Sequence, residues 1–392
     1  MEAVAPPGSA GHLLTLIRSG TASTRADLVA ATGLARSTVA QRLDALIDAG
    51  LVIVSGNGAS TGGRPPVTLA FNRSAGVVLA ADLGATHSRV AVMDLTGVTL
   101  GEVTGEVPIA DGPEPVLGWL DERWAELLAA AGSSPGAVRG MGIGVPGPVE
   151  FASARPVSPP IMPGWDGYPV RERFAEPYPG TPLLLDNDVN IMALGEHDDR
   201  YAEVDHLLFV KVGTGIGCGV VAGGHIFRGA QGAAGDIGHV RLAGHEDAVC
   251  HCGNTGCLEA VAGGAAMARR LTADGLPAAT GRDVARLVVE GDPRAVRAVR
   301  QAGRLLGQVL ASAVNLFNPA VIVVGGDLAR TQGHLLAGVR EVVYQRSLPL
   351  ATRSLRIAPS ALEDRAGVRG AGAMILGHIL APAAIDARLA GG

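Results

Sequence analysis

The sequence predicts an α/β protein of two or three domains that begins with a small, mainly helical unit. From Gly76 onward, short apolar runs bounded by glycine alternate with longer amphipathic segments, the pattern of an α/β fold. At 392 residues and 47% hydrophobic content, the chain is long enough for more than one core. A net charge of −5 argues against a protein that is basic throughout, although a local basic patch remains compatible with it.

The cysteine pattern and the N-terminal sequence indicate the cellular compartment. Three of the four cysteines are clustered, which favours metal ligands in a reducing environment over disulfides, whereas Cys218 lies in an apolar run and is predicted to be buried. The N-terminus has no basic segment followed by an apolar run, and no apolar stretch approaches the ~20 residues that span a bilayer. We therefore expect a cytoplasmic protein without a membrane partner.

Residues 11–72 carry the pattern of a winged helix-turn-helix. Thr24 and Asp27 fit a capping box at the start of one short helix, and Gly33 follows as a tight turn. The next helix, about residues 36–49, repeats apolar residues at helical spacing, although Ala35 caps its start poorly. Its other face presents small or hydrogen-bonding side chains and arginine, suited to the major groove: Arg36, Ser37, Thr38, Gln41 and Arg42.

Two further runs, residues 51–55 and 67–71, predict the strands of a wing. The loop between them holds Arg64 between a glycine and a proline, and a side chain on such a slim loop is suited to the minor groove. Together these features predict a DNA-binding domain over residues 1–73. The alternative is a small helical interaction module with a hairpin.

The stretch from Gly213 to Glu259 combines two kinds of chemistry. It opens with a GTGIG turn, whose glycines allow backbone amides to approach an anion. A His-x10-Cys-x-Cys-x4-Cys run follows, and its one nitrogen and three sulfurs are the ligand set of a closed structural zinc site. The predicted ligands are His239, Cys250, Cys252 and Cys257. The segment 235–239 places Asp236 beside that metal and a glycine-lined cleft, which suits a polyhydroxylated ligand.

These motifs, GTGIGxG, GxxGxAGxxGH and CxCGxxGCLE, resemble those of the ROK family of sugar kinases and sugar-responsive repressors, over about residues 76–377. The resemblance implies a bilobal, actin-like and ribonuclease H-like sugar-kinase fold after the winged helix. It implies a first lobe over residues 74–189 and a second over residues 190–392, with the final helix packing back on the first lobe. It also implies that the sugar contacts are Asn187, Asp188, Asp236, His239 and Glu259.

Several of these positions have plainer interpretations or depart from the family. Asp188 matches the kinases' general base, but a polar residue at this strand end, Asp188 or Asn190, could also be only a helix cap. Asp236 stands where most members have glutamate. Ala85 replaces the second glycine of the kinases' DxGGT phosphate turn, so we expect no tight ATP binding. Trp165 could face a sugar, but the favoured interpretation is that it fills an apolar gap in the core.

Two functions follow from these features. The first is a DNA-binding regulator, most simply a repressor, that binds operator DNA as a homodimer or dimer of dimers and responds to a sugar through lobe closure passed on through the dimer. The second is an ATP-dependent, hexokinase-like sugar kinase with Asp188 as base, alone or combined with regulation. The winged helix favours the regulator. We also predict one helix over residues 259–270. His245 and His251 are predicted to be solvated loop residues, with the alternative that either replaces His239 as a metal ligand.

Overall fold

The computed structural model describes residues 7–57, 67–331 and 333–391. The N-terminal unit packs three helices around an apolar core that includes Leu13, Leu28 and Leu43. A short antiparallel pair of strands follows them. Its elements are α1 (Ala10–Arg18), α2 (Arg25–Thr32), α3 (Arg36–Asp48), β1 (Val52–Asn57) and β2 (Val67–Phe71).

The helix ends of this unit are those that the sequence predicts. Thr24 and Asp27 form both hydrogen bonds of a capping box at the start of α2, and Gly33 ends that helix in the left-handed conformation. Ala35 precedes α3 and provides no side-chain cap.

The first lobe is built on a five-stranded sheet with strand order β5-β4-β3-β6-β9. Strands β3, β4 and β5 are antiparallel, whereas β6 and β9 run parallel to β3. Trp165 is fully buried beneath this sheet and donates to the carbonyl of Ile109, so it belongs to the core. The elements are β3 (Val77–Leu83), β4 (Ser88–Asp94), β5 (Thr99–Gly105), α4 (Pro113–Ala130), β6 (Val138–Val145), β7 (Val149–Glu150), β8 (Arg155–Pro156), α5 (Val170–Arg173) and β9 (Leu183–Asn187).

The second lobe repeats this arrangement with strand order β12-β11-β10-β13-β14. Three strands are again antiparallel and two are parallel to the central one. The repetition confirms the predicted bilobal fold. The elements are α6 (Asp188–Arg200), β10 (His206–Val212), β11 (Ile216–Ala222), β12 (His225–Ile226), α7 (Leu258–Ala262), α8 (Gly264–Ala273), α9 (Gly281–Val289), α10 (Pro293–Phe317), β13 (Val321–Gly325), α11 (His334–Arg346), α12 (Pro349–Thr352), β14 (Arg356–Pro359), α13 (Ala366–Ile379) and α14 (Pro382–Ala390).

The single helix predicted over residues 259–270 is wrong, because α7 and α8 are separated at Gly263. The amide of Gly264 donates to the carbonyl of Gly213 at 2.9 Å, and Ala265 donates to Thr214 at 3.0 Å. These amides therefore bind the glycine-rich turn instead of continuing one helix, an interaction between distant segments that helical periodicity does not reveal.

Helices α6 and α13 pack closely and link the two lobes. A Cβ added at Gly370 would lie 1.6 Å from the carbonyl oxygen of Ile191, and one added at Gly195 would lie 2.1 Å from that of Ala366. Only glycine permits this approach of the two backbones. The chain then bends into α14, where Asp386 Oδ1 accepts a hydrogen bond of 2.8 Å from the Gly11 amide of α1. The C-terminal helix thus contacts the N-terminal unit directly.

Within the described residues no single helix has the length and apolar character needed to cross a membrane. The segments 363–379 and 382–390 meet that test only when joined across their 52° bend.

Candidate functional site

A cleft of about 820 Å³ lies between the lobes and is lined by both. The first lobe contributes the end of β3 and the junction of β9 with α6. The second contributes the β10–β11 turn, the segment 235–239 and α7. All five predicted sugar contacts line this cleft: Asn187, Asp188, Asp236, His239 and Glu259.

Asn187 is the residue that caps α6, rather than Asp188 or Asn190. Its Oδ1 accepts from the amide of Val189 at 2.9 Å, and its Nδ2 donates to the carbonyl of Gly147 at 3.0 Å. An amide nitrogen carries two donors, so one remains for a ligand. Structural and binding roles are therefore compatible at this residue.

Asp188 pairs with a residue that the sequence interpretation did not identify. Its Oδ2 lies 2.5 Å from the Nζ of Lys211, which projects from the end of β10, and the Asp188 side chain is only 5% exposed. Burial disfavours the charge on Lys211, but the carboxylates of Asp188 and Asp82 outweigh it and raise the pKa of Lys211. The one available signal was compositional, since Lys211 is the only lysine in the chain.

Glu259 is held against the glycine-rich turn. Its Oε2 accepts from the amide of Ile216 at 2.8 Å, and a Cβ added at Gly215 would lie 2.0 Å from that oxygen. The other oxygen, Oε1, is buried without a hydrogen bond and lies 3.2 Å from Nε2 of His251. His251 is half-exposed and also lines the cleft, a position that its place in a loop did not predict.

Asp236 is an exposed residue that lines the same cleft. Burial raises the pKa of its carboxyl, with the charge of His239 opposing that shift and Glu259 adding to it. Within the described residues the Asp236 carboxyl has no side-chain hydrogen bond, and it lines the cleft.

The four predicted metal ligands come together beside this segment. One ligand atom from each of His239, Cys250, Cys252 and Cys257 lies within 4.8 Å of the others. The Nδ1 of His239 is 3.7 Å from the sulfur of Cys250, and the sulfurs of Cys252 and Cys257 are 3.7 Å apart. Three thiols and one imidazole are a suitable ligand set for a metal ion, and the protein supplies all four ligands.

The other end of the cleft, which we call the glycine-turn half, is formed by residues 84–87, 213–215 and 326–327. Arg282 of α9 spans it: its Nε donates to Asp327 at 3.1 Å, and its Nη2 lies 2.5 Å from His87 of the first lobe. Burial, with Arg282 adding to it, lowers the pKa of His87. Nearby, burial raises the pKa of Asp82 to about 7, against the charge of Lys211.

The predicted DNA-reading residues lie on α3. Arg36, Ser37 and Gln41 are exposed, and Thr38 is partly so. Arg42 donates to the carbonyl of Gly8, so its guanidinium is directed toward the segment before α1. The predicted minor-groove residue, Arg64, lies outside the described residues.

The chain resembles both regulators and kinases of known sequence or structure. The xylose repressor of Caldicellulosiruptor bescii is 31% identical, over 88% of this chain and 90% of that protein. The crystal structure of a ROK family transcriptional regulator, a homologue of the Escherichia coli Mlc protein, superposes with a TM-score of 0.83 at 25% identity and covers 98% of both chains. The ROK hexokinase of Thermus thermophilus superposes with a TM-score of 0.65 at 32% identity and covers 77% of this chain and 99% of the hexokinase chain. The ROK family model matches residues 78–378, and the chain belongs to the ROK family.

Proposed function

We propose that this protein is a sugar-responsive transcriptional repressor that binds operator DNA through residues 1–73 and a sugar in the cleft. One observation carries the proposal: the family model begins at residue 78, yet a helical unit with an exposed, hydrogen-bonding α3 precedes it. The coverage of the relatives supports it, because the Mlc homologue matches 98% of the chain and the hexokinase only 77%.

In this proposal α3 enters the major groove, with Arg36, Ser37, Thr38 and Gln41 facing base edges. Small side chains at this face allow close approach, and Arg36 is available to a phosphate or guanine. Arg42 takes part through its hydrogen bond to Gly8, which fixes the chain before α1. Arg64 is proposed to reach the minor groove from the wing.

The sugar site consists of Asn187, Asp188, Asp236, His239 and Glu259, within lobes proposed to span residues 74–189 and 190–392. These side chains supply one amide donor and several carboxylate acceptors to the cleft, the pairing that a polyhydroxylated ring needs. Zn²⁺ is the proposed occupant of the His239, Cys250, Cys252 and Cys257 cluster. Four protein ligands leave no open position for water, so its role is structural.

We further propose that the sugar signal travels within one chain as well as between chains. Asp188 begins α6, and α6 packs on α13 with close backbone approach at Gly195 and Gly370. Helix α13 leads through a bend to α14, which hydrogen-bonds α1 at Gly11. A small shift of α6 on sugar binding would thus move the N-terminal unit, and coupling of ~1–3 kcal/mol is enough for regulation.

A sugar kinase is the second candidate, because Asp188 and the three glycine turns are present and kinases share the family. Two observations favour a receptor. Ala85 adds a methyl group to the first turn, and Arg282 bridges the lobes across the space where phosphates would lie. We propose that ATP is not a cofactor.

The repressor is proposed to act as a homodimer or dimer of dimers. An apolar patch formed by Leu316, Leu348 and Leu350 supports self-association, because these side chains are 91%, 69% and 79% exposed. The amide of Leu348 donates to Asn315, which holds α12 beside the end of α10. Replacing Leu350 with Asp should shift the mass measured by analytical ultracentrifugation toward the monomer.

The DNA proposal is tested by gel-shift or anisotropy assays with the DNA upstream of the protein's own gene. Deleting residues 1–72 should abolish binding while sugar binding persists. Gln41→Ala should relax base preference, whereas Asp48→Ala at the end of the same helix serves as a control. Operator binding that survives the deletion would overturn the repressor proposal.

A further inference from the structure

Lys211 is unusual because it is the single lysine of this chain. Lysine and arginine together number 32, and Lys211 is the only lysine among them. The two side chains differ physically, since lysine is a compact point charge and arginine a broad planar fork. A chain that otherwise uses arginine throughout thus carries one side-chain ammonium group, and that residue lines the cleft.

The geometry of Lys211 gives the cleft a donor beside an acceptor. Its Nζ contacts Asp188 Oδ2 at 2.5 Å, and the Lys211 side chain is 27% exposed. An ammonium has three N–H donors, so donors remain beyond the one given to Asp188. Asp188 Oδ1 likewise remains an acceptor. A sugar hydroxyl both donates and accepts, and it can therefore bind the two groups at once.

The charges around this pair disfavour an anionic ligand. Seven carboxyl groups line the described part of the cleft, against four lysine and arginine side chains. Three of those cations are already paired: Lys211 with Asp188, Arg282 with Asp327, and Arg89 with Glu102. The fourth, Arg269, is exposed on α8. A phosphate at Lys211 would face Asp188 and Asp82, and Arg269 is the one cleft-lining cation outside these ion pairs in the described part of the chain.

We propose that Lys211 and Asp188 together bind one uncharged hydroxyl group of the effector, and that this pair restricts the effector to neutral sugars and excludes sugar phosphates. The proposal rests on the sugar-binding function assigned to the cleft. It adds a binding residue, Lys211, and a ligand class.

The single lysine makes a direct experiment possible. Protein labelled with [13Cε]lysine should give one side-chain signal, which is titrated without DNA. The probes are xylose, glucose, N-acetylglucosamine, the 6-phosphates of the last two, and inorganic phosphate. We expect a neutral sugar to shift the signal saturably, its phosphate to bind at least about tenfold weaker, and inorganic phosphate to leave the signal in place.

Two results would overturn the proposal: a sugar phosphate that shifts the lysine signal at lower concentration than its parent sugar, or no shift with any neutral sugar. Because DNA is absent, loss of operator binding affects the repressor proposal and not this one.

Variants provide an independent test by calorimetry with the sugar that shifts the signal. Lys211→Met should weaken binding about 10- to 100-fold, as expected for loss of a charge-assisted hydrogen bond, whereas Lys211→Arg should retain part of it. If Lys211→Met unfolds because Asp188 is left unpaired, Lys211→Met with Asp188→Asn restores charge balance and should fold but bind equally weakly. Affinity equal to that of the wild type in either folded variant would contradict the proposal.

Discussion

The two halves of the cleft share a fold but differ in how their polar groups are used. The half lined by Asp236, His239 and Glu259, which we call the sugar half, has carboxylate oxygens without hydrogen bonds in the described structure: those of Asp236, and the buried Oε1 of Glu259. In the glycine-turn half, Arg282 is committed to Asp327 and His87. Recognition of a polyol needs only the first kind of surface, whereas phosphoryl transfer needs both ends open to ligands. The contrast supports the proposed receptor role for a protein with the fold of the ROK kinases.

Loss of the metal cluster should have the largest effect on sugar binding. Cys252→Ser should lose the metal and the sugar response together, because the cluster ties the segment bearing Asp236 to the start of α7. Elemental analysis and calorimetry measure the two losses. Cys218→Ser, a buried change in β11 outside the cluster, should keep one metal per chain. Unchanged metal content in Cys252→Ser would refute the assignment.

Asp236→Asn should have the next largest effect. The variant keeps the shape and removes only the charge, so sugar affinity should fall about 10- to 100-fold through loss of charge-assisted hydrogen bonds. Asp247→Asn, an exposed change in the neighbouring loop, is the matched control. Equal affinities of the two variants would show that Asp236 does not contact the sugar.

The sequence was informative where interactions are local or the spacing is specific. The Thr24 capping box joins residues three positions apart, and the Cys250–Cys257 spacing itself indicates a metal knuckle. Contacts between distant segments were not predictable. The Lys211–Asp188 pair and the Arg282 bridge join residues 23 and 195 positions apart, and only the folded lobes bring them together. The same limit explains the missed break between α7 and α8.

Asp386→Ala should have a smaller effect, which is confined to the coupling between sugar binding and operator binding. Removing the acceptor for the Gly11 amide should leave sugar affinity unchanged but reduce the sugar-induced change in operator affinity several-fold, equivalent to ~1 kcal/mol. Asp386→Asn retains an acceptor oxygen and should behave like the wild type. Full coupling in the alanine variant would argue for transmission through the dimer alone.

Arg282→Ala should have the smallest effect on sugar binding. Its partners lie in the glycine-turn half, so we expect sugar affinity to change by less than about twofold. Arg286→Ala, on the same helix and paired with Glu290, is the control. A large loss of affinity in Arg282→Ala alone would mean that the effector extends into both halves.

We propose that a sugar is a signal for this protein and not a substrate. The most direct test follows operator binding by fluorescence anisotropy while a neutral sugar is added, and measures ADP in the same sample with ATP and Mg²⁺ present. We predict that the sugar changes operator affinity equally with and without ATP, and that no sugar-dependent ADP appears. Steady ADP release that disappears in Asp188→Asn, with an operator response that requires ATP, would contradict this account.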